Sequence, residues 1–179
     1  MKKAMPVIIL AVFLSACGLY AKATPLPDCD PSLEQLLPRE EDFPPDWHIG
    51  RPHKDDQFSG GAIDSCVVSY NVLNGVANQI IYEYSDEDEA IYGFSRLLKA
   101  FAWNISKVIP VPSFTSNIAD EYYFECAVPR DTHICEVVAR YGKLTVVFTT
   151  HVNPTFMNYD DLEKLLLTID QLMSFQVIQ

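Results

Sequence analysis

Five cysteines are the residues of this chain whose type and spacing point most directly to defined chemistry. Four of them follow the N-terminal segment, and an even number indicates two disulfides in an oxidising compartment. A turn over 129–132 would place Cys126 opposite Cys135 on a hairpin, within bridging distance. The spacing therefore favours Cys126–Cys135 and leaves Cys29–Cys66 as the second pair. A zinc site is the alternative, but the chain contains no Cys-x-x-Cys pair.

The fifth cysteine, Cys17, ends a segment built like a secretory signal. Lys2 and Lys3 precede an apolar run that continues to Leu14, and small residues follow it. The stretch Leu14-Ser15-Ala16-Cys17 resembles a bacterial lipobox. This resemblance implies that Cys17 becomes the mature N-terminus and carries the lipid that attaches the protein to a membrane.

These features predict three regions along the chain. We expect a lipoprotein signal peptide over 1–16, a lipid anchor and linker over 17–30, and a single domain over 31–179. Two alternatives exist for the N-terminal segment. One is a transmembrane anchor, for which the apolar run is short, and the other is an ordinary signal peptide cut near Ala23.

Residues that could carry catalysis or bind a metal do not form a recognisable motif. His48, His53, Asp55 and Asp56 have metal-ligand side chains, but they lie at irregular spacing in a loop rich in proline and glycine. Ser95 falls in the middle of a predicted helix rather than at the sharp turn of a nucleophile elbow. The sequence therefore predicts no catalytic residues, no metal site and no cofactor.

Aromatic side chains suggest a binding surface instead. Trp47 follows Pro44 and Pro45 on a stiff segment, and Tyr82 and Tyr84 share one face of a predicted strand. We predict that Trp47 lines or covers a ligand groove whose floor includes Tyr82 and Tyr84. The alternative is that Trp47 closes the open end of the core and contributes only packing.

The elements that position these residues follow from turn signals and periodicity. Asn74-Gly75 and Tyr141-Gly142 are predicted turns between apolar, β-branched runs, and Ser85 is a predicted helix cap. The pattern predicts strands Cys66–Leu73 and Val76–Tyr84, a helix Ser85–Trp103, strands Glu121–Val128, His133–Arg140 and Lys143–His151, and a last helix from Asp160. The order ββ-α-βββ-α predicts an α+β fold: a mostly antiparallel sheet of about five strands with helices packed on it and two disulfides.

Composition limits the partners. The formal net charge is −11, and loss of Lys2 and Lys3 with the signal would make the mature chain more acidic still. Such a chain does not bind a phosphate backbone through charge, which excludes nucleic acid as a partner. Because it has no basic face for anionic headgroups, its membrane attachment must come from the lipid.

The order of elements resembles a family of exported domains. Leu36-Leu37-Pro38, the segment Pro44-Pro45-Asp46-Trp47 and the following hairpin, helix, meander and helix resemble extracellular sensor domains of bacterial receptor Ser/Thr kinases. In those domains a glycine is usual where this chain has Asp46. The tail Leu172–Val177 is similar to the ending of the Mog1/PsbP-like fold. The resemblance implies an α+β sandwich with disulfides and a ligand- or partner-binding role, and it implies no catalytic residues.

Taken together, the sequence predicts a lipid-anchored, non-catalytic, ligand-binding or sensor-like domain that faces the periplasm or the exterior. Its ligand would be a small molecule, a glycan or a protein. The alternatives are a structural or accessory lipoprotein of an envelope complex and a hydrolase. An enzyme is disfavoured because the sequence shows no triad, metal or phosphate motif.

Overall fold

The computed structural model describes residues 26–55, 60–101, 112, 114–128 and 133–177. Its strands are β1 His48–Ile49, β2 Asp64–Val72, β3 Gly75–Glu83, β4 Glu121–Ala127, β5 Ile134–Tyr141 and β6 Leu144–His151. Its α-helices are α1 Pro31–Glu34, α2 Glu87–Phe101 and α3 Tyr159–Val177. The six strands form one antiparallel sheet in the order β1-β2-β3-β6-β5-β4.

The predicted α+β fold is confirmed, with the five predicted strands and one more. The additional strand, β1, has two residues and pairs with β2 through His48 opposite Asn71 and Ile49 opposite Tyr70. A segment of two residues carries no periodicity, so the sequence contains no signal for this strand.

The first hairpin turn lies one residue earlier than predicted. The turn residues are Leu73 and Asn74, and Val72 pairs with Gly75. Asn74 takes the left-handed conformation, with φ at 68°, which asparagine tolerates better than most residues. Gly75 is needed for space instead, because a Cβ there would lie 2.7 Å from both Val72 and Phe156.

The second turn lies one residue later than predicted. Tyr141 is the last residue of β5 and is buried, and the turn consists of Gly142 and Lys143. Gly142 has φ at 57°, in the region that favours glycine. Burial of the Tyr141 ring therefore keeps that residue in the strand, and the glycine behind it turns the chain.

The cap of α2 also differs from the prediction by one residue. Asp86, rather than Ser85, accepts a hydrogen bond from the backbone N–H of Glu89 at 2.9 Å. Hydrogen bonds from that N–H and from Ser85 lower the pKa of the Asp86 carboxyl. The predicted end of this helix near Trp103 lies outside the described residues.

The sheet separates two hydrophobic layers. On β6, Val146 and Phe148 face the larger layer, which includes buried side chains of α1 and α3, whereas Val147 faces the smaller layer beneath α2. Successive side chains of a strand point to opposite faces, so this alternation assigns every strand residue to one side. We refer to the two sides as the α3 face and the α2 face of the sheet.

Both predicted disulfides are present. Cys29–Cys66 ties the N-terminal arm to β2, and Cys126–Cys135 joins two residues directly opposite each other on β4 and β5. The predicted hairpin register is therefore confirmed, although the turn at 129–132 lies outside the described residues. Two disulfides indicate an oxidising, extracytoplasmic compartment.

The predicted signal peptide and lipidation site, 1–16 and Cys17, lie outside the described residues. The assignment of 17–30 to an anchor and linker and of 31–179 to one domain stays a prediction. Among the described residues, no helix is both long enough and apolar enough to cross a membrane.

Candidate functional site

A cleft of about 240 Å³ lies beside the edge strand β4 on the α3 face of the sheet. It is bordered by α3, by β4 and by the segment 114–117 that leads into β4. Its described lining residues are Phe114, Thr115, Asn117, Tyr122, Glu163, Leu166, Leu167 and Asp170. The lining therefore combines aromatic and aliphatic side chains with two carboxyl groups.

The periodicity of α3 explains why its four lining residues occur together. Glu163, Leu166, Leu167 and Asp170 are spaced by three and four residues, so they follow one side of the helix. Leu162, Leu165 and Ile169 are buried in the core on the adjacent side. The cleft thus lies where the apolar face of α3 meets its solvent-exposed face.

Asp170 is a buried carboxyl group in the cleft lining. It is only 6% exposed, and its Oδ1 accepts a hydrogen bond of 2.5 Å from the hydroxyl of Tyr141. Burial, followed by the hydrogen bond to Asp170, raises the pKa of Tyr141. Burial and then the Asp170 carboxylate likewise raise the pKa of Tyr122. Both phenols therefore stay protonated at neutral pH and remain hydrogen-bond donors.

The charge of Asp170 has no cationic partner in the part of the chain that the structure describes. Neither Asp170 nor Glu163 forms an ion pair with a described residue. Tyr141 is the one described residue that hydrogen-bonds to the Asp170 side chain, and it does so through Oδ1. Since a carboxylate has about four lone-pair sites, Asp170 keeps acceptor capacity beside the cleft.

Local hydrogen bonds hold the segment that forms the outer wall. The hydroxyl oxygen of Ser116 accepts hydrogen bonds from the backbone N–H groups of Ile118 and Ala119, at 3.0 and 2.8 Å. The ring of Phe114 packs edge-on against Phe124 of β4, with 4.8 Å between centroids. The aromatic wall is therefore attached to the sheet.

Trp47 is placed in the core rather than over this cleft. It is 2% exposed, and its indole N–H donates a 2.9 Å hydrogen bond to the carbonyl of Phe156. Its ring packs beside Phe43, which in turn stacks on Tyr70 at 4.1 Å. This geometry matches the packing alternative for Trp47, on the α3 face of the sheet.

Tyr82 and Tyr84 lie on the other side of the sheet. Both belong to the layer beneath α2, and Tyr82 donates a 2.9 Å hydrogen bond to Asp55. Tyr84 packs so closely on α2 that a Cβ on Gly93 would lie 2.2 Å from its ring. Because the sheet separates them from Trp47, the three residues do not line one groove, and a ligand contact of any one of them stays a prediction.

The histidine- and aspartate-containing loop serves several separate contacts. His48 pairs with Glu40 at 3.2 Å, and His53 forms a bridge to Val67 of β2. Asp56 lies outside the described residues. Within the described ranges, no three His, Cys, Asp or Glu side chains are grouped so that they could hold a metal ion.

A second depression, of about 420 Å³, lies at the N-terminal arm. Its apolar lining includes Leu37 and Pro38, and its polar lining residues Glu34, Gln35 and Arg39 are all exposed. Exposed polar groups are solvated without a ligand, so this groove gives a weaker indication of binding than the cleft at Asp170.

The cleft is not among the sites predicted from the sequence, although the sequence contains one signal for it. Asp170 stands four residues after Leu166 and three before Met173, inside the apolar stripe of α3. A carboxylate at a core position of an amphipathic helix is an exception that favours a functional or buried polar role. The contribution of Tyr122 and of 114–117 has no comparable local signal.

The fold, but not the sequence, is similar to known proteins. No protein family model matches the chain, and no curated protein matches it. Its structure is similar to the extracellular domain of PknH from Mycobacterium tuberculosis, with a TM-score of 0.50 and 10% identity over 81% of this chain and 94% of that one. At this identity the likeness supports the fold alone, and it agrees with the predicted resemblance to receptor-kinase sensor domains at that level.

Two further solved structures have lower TM-scores. A GTP binding regulator from Thermotoga maritima has a TM-score of 0.40 and 12% identity, covering 80% of this chain and 85% of that one. An uncharacterized protein from Mycobacterium smegmatis has a TM-score of 0.38 and 12% identity, covering 80% of this chain and 98% of that one.

Proposed function

We propose that this chain is a lipid-anchored extracytoplasmic domain that binds a small ligand in the cleft at Asp170 and performs no catalysis. The observation that carries the proposal is the buried Asp170 carboxylate, which borders a cavity and has no cationic partner among the described residues. Buried charges in proteins are normally paired, so an unpaired one beside a cavity points to a ligand that completes the site.

The sensor-like part of the proposal rests on the fold. The PknH structure that is similar to this fold is an extracellular domain. The two disulfides of this chain are typical of proteins outside the cytoplasm. A domain of this kind would report ligand binding to a partner or retain the ligand near the membrane, and neither task requires chemistry at the cleft.

The residue types in the cleft lining support a non-catalytic role over a hydrolase. Among the described lining residues, none pairs a nucleophile with a base.

Ligand retention by the purified protein tests the binding role. The full-length protein would be extracted from membranes in detergent and denatured, and the released small molecules would be analysed by liquid chromatography and mass spectrometry. Leu167 is 51% exposed at the cleft, so Leu167→Trp should block it. Leu73, 85% exposed at the first hairpin turn, gives the matched control Leu73→Trp.

The proposal predicts a compound that accompanies the wild type and Leu73→Trp and is lost from Leu167→Trp. Absence of any such compound would count against the binding role and favour a structural or accessory lipoprotein. In the same preparations, the mass of the N-terminal peptide tests the anchor. A lipidated Cys17 is expected, and Cys17→Ser should accumulate as the uncut precursor. An unmodified N-terminus at Thr24 would show that the chain is not lipid-anchored.

A further inference from the structure

We propose that the cleft selects a ligand with a positively charged nitrogen, an ammonium or a guanidinium, attached to a compact apolar group. This inference rests on the proposed function and adds the chemical class of the ligand. It follows from three properties of the cleft: the carboxyl group of Asp170 in its lining, the character of its walls and its size.

The Asp170 carboxyl group in the cleft lining has no described cationic partner. Asp170 is more than nine-tenths buried, and its one described hydrogen-bond donor is the neutral hydroxyl of Tyr141, on Oδ1. No described donor contacts Oδ2. Hydroxyl dipoles offset only part of the cost of burying a carboxylate, whereas a cation in the cleft would offset it through a charge-assisted hydrogen bond.

The phenols around Asp170 strengthen this preference. Tyr122 and Tyr141 are neutral phenols at pH 7, and burial and Asp170 raise their pKa values further, so neither hydroxyl adds a negative charge to the cleft. A neutral hydroxyl also cannot balance a carboxylate as a cation would. An anionic ligand would meet Asp170 and Glu163 with the same sign of charge. A neutral ligand would leave the Asp170 charge unpaired.

The walls are mainly polar, with a smaller apolar area that can hold a compact apolar group next to the charged one. Phe114, Tyr122 and Leu166 contribute that area, and an aromatic ring face also attracts a cation. A cavity of about 240 Å³ is below the usual range of about 300–1,000 Å³ for drug-sized ligands, so a small amine suits it.

The overall charge of the protein acts in the same direction. With a formal net charge of −11, the molecule attracts cations over its whole surface and raises their concentration near the cleft. Attraction by the net charge does not favour one site over another. The test must therefore distinguish a cation bound at Asp170 from cations that gather without a specific site around the negatively charged surface.

Three probes of nearly the same shape provide that separation: benzylamine, benzyl alcohol and benzoate. At pH 7 the first is a cation, the second is neutral and the third is an anion. Each would be titrated into the full-length protein in zwitterionic-detergent micelles at constant ionic strength, with backbone amide NMR shifts as the readout. The expected result is saturable binding of benzylamine alone, with shifts confined to the segments 114–122 and 163–170.

Variants identify the carboxylate. Asp170→Asn is isosteric and keeps an acceptor for Tyr141, and it should weaken benzylamine binding at least tenfold. Glu163→Gln, at the opposite end of the cleft lining on α3, should weaken it less and serves if Asp170→Asn fails to fold. Asp160→Asn removes an exposed carboxylate of the same helix that does not line the cleft, and it should leave binding unchanged.

The outcomes also distinguish this inference from the proposed function. Equal binding of benzyl alcohol or benzoate would overturn the charge preference and leave a ligand-binding cleft standing. Benzylamine binding that is unchanged in Asp170→Asn, or no saturable shift at the cleft with any probe, would overturn the inference as well. The proposed function fails only if the extracted protein carries no compound whose retention depends on the cleft.

Discussion

Glu125 of β4 and Glu136 of β5 lie directly opposite each other on the α2 face of the sheet, one residue from the Cys126–Cys135 disulfide. Glu136 is 8% exposed, and its Oε1 has no hydrogen-bond partner among the described residues. Burial, and secondarily the carboxylate of Glu125, raises the pKa of Glu136 to about 7. The fold therefore holds a carboxyl group that is easier to bury protonated than charged.

This pair predicts a loss of stability as the pH rises. Because the folded-state pKa of Glu136 is about 7 and the ordinary value is 4.5, the folded protein binds more protons between these limits than the unfolded chain. Stability should fall as the pH increases from about 4.5 to about 7. Allowing for partial solvent screening, the loss is about 2 kcal/mol. Urea denaturation across this pH range measures it.

Replacing Glu136 with glutamine should remove this part of the pH dependence. At pH 8 we expect Glu136→Gln to be more stable than the wild type, and at pH 4 the two should be nearly equal. Glu34→Gln changes an exposed carboxyl of α1 and serves as the control, with no change in slope expected. A wild-type stability that is flat between pH 4.5 and 7 would contradict the prediction.

Trp47 should behave as a core residue. Trp47→Ala is expected to lower the free energy of unfolding by about 3–5 kcal/mol, the usual cost of truncating a buried tryptophan. Tyr92→Ala, which truncates an exposed aromatic residue of α2, should cost far less. Thermal melts of both variants check this. If Trp47→Ala kept the wild-type melting temperature and lost bound ligand, Trp47 would be a lid instead.

Asp46 holds a backbone conformation that favours glycine. Its φ is 72°, in the left-handed region that glycine adopts without a steric penalty. Asp46→Gly should raise the free energy of unfolding by about 0.5–1 kcal/mol, because the left-handed strain is larger than the entropy that glycine adds to the unfolded chain. Gln35→Gly, at a φ of −65°, should lower stability. If the denaturant midpoints of both variants shifted in the same direction, the left-handed backbone at Asp46 would not be the cause of the stability change.

Gln79 is a buried polar residue whose cost should be measurable. It is fully buried on the α3 face of the sheet between Val68 and Phe148, and neither side-chain polar atom has a hydrogen-bond partner among the described residues. Gln79→Met keeps the shape and removes the unsatisfied groups, so it should stabilise the protein by about 1–3 kcal/mol.

The neighbouring Asn78 provides a matched comparison for Gln79. It points to the opposite face, and its Oδ1 accepts a 2.7 Å hydrogen bond from Ser69. Asn78→Leu would leave that hydroxyl without its acceptor, so it should be neutral or destabilising. Calorimetric melting of both variants gives the comparison, and a Gln79→Met variant less stable than the wild type would show that the Gln79 amide has a partner in solution.

Local patterns in the sequence were sufficient for much of the fold. The cysteine spacing predicted the register of β4 and β5, since a short hairpin can align its two cysteines in one way. The turn signals predicted both sheet turns to within one residue. At the first turn Asn74 adopts the left-handed conformation itself, and Gly75 is required for space beside Val72 and Phe156. At the second turn Tyr141 stays in the strand because its ring is buried.

Only the tertiary structure decided which residues share a site. Trp47, Tyr82 and Tyr84 are all aromatic, yet the strand order β1-β2-β3-β6-β5-β4 and the parity of each strand separate Trp47 from the other two by the thickness of the sheet. The cleft combines α3 with Tyr122, which lies more than forty residues away along the chain. Helical periodicity could place Asp170 on the apolar stripe of α3, but its burial beside a cavity depends on how α3 packs against β4 and β5. That packing is set by the summed burial of many side chains and leaves no local signature in the sequence.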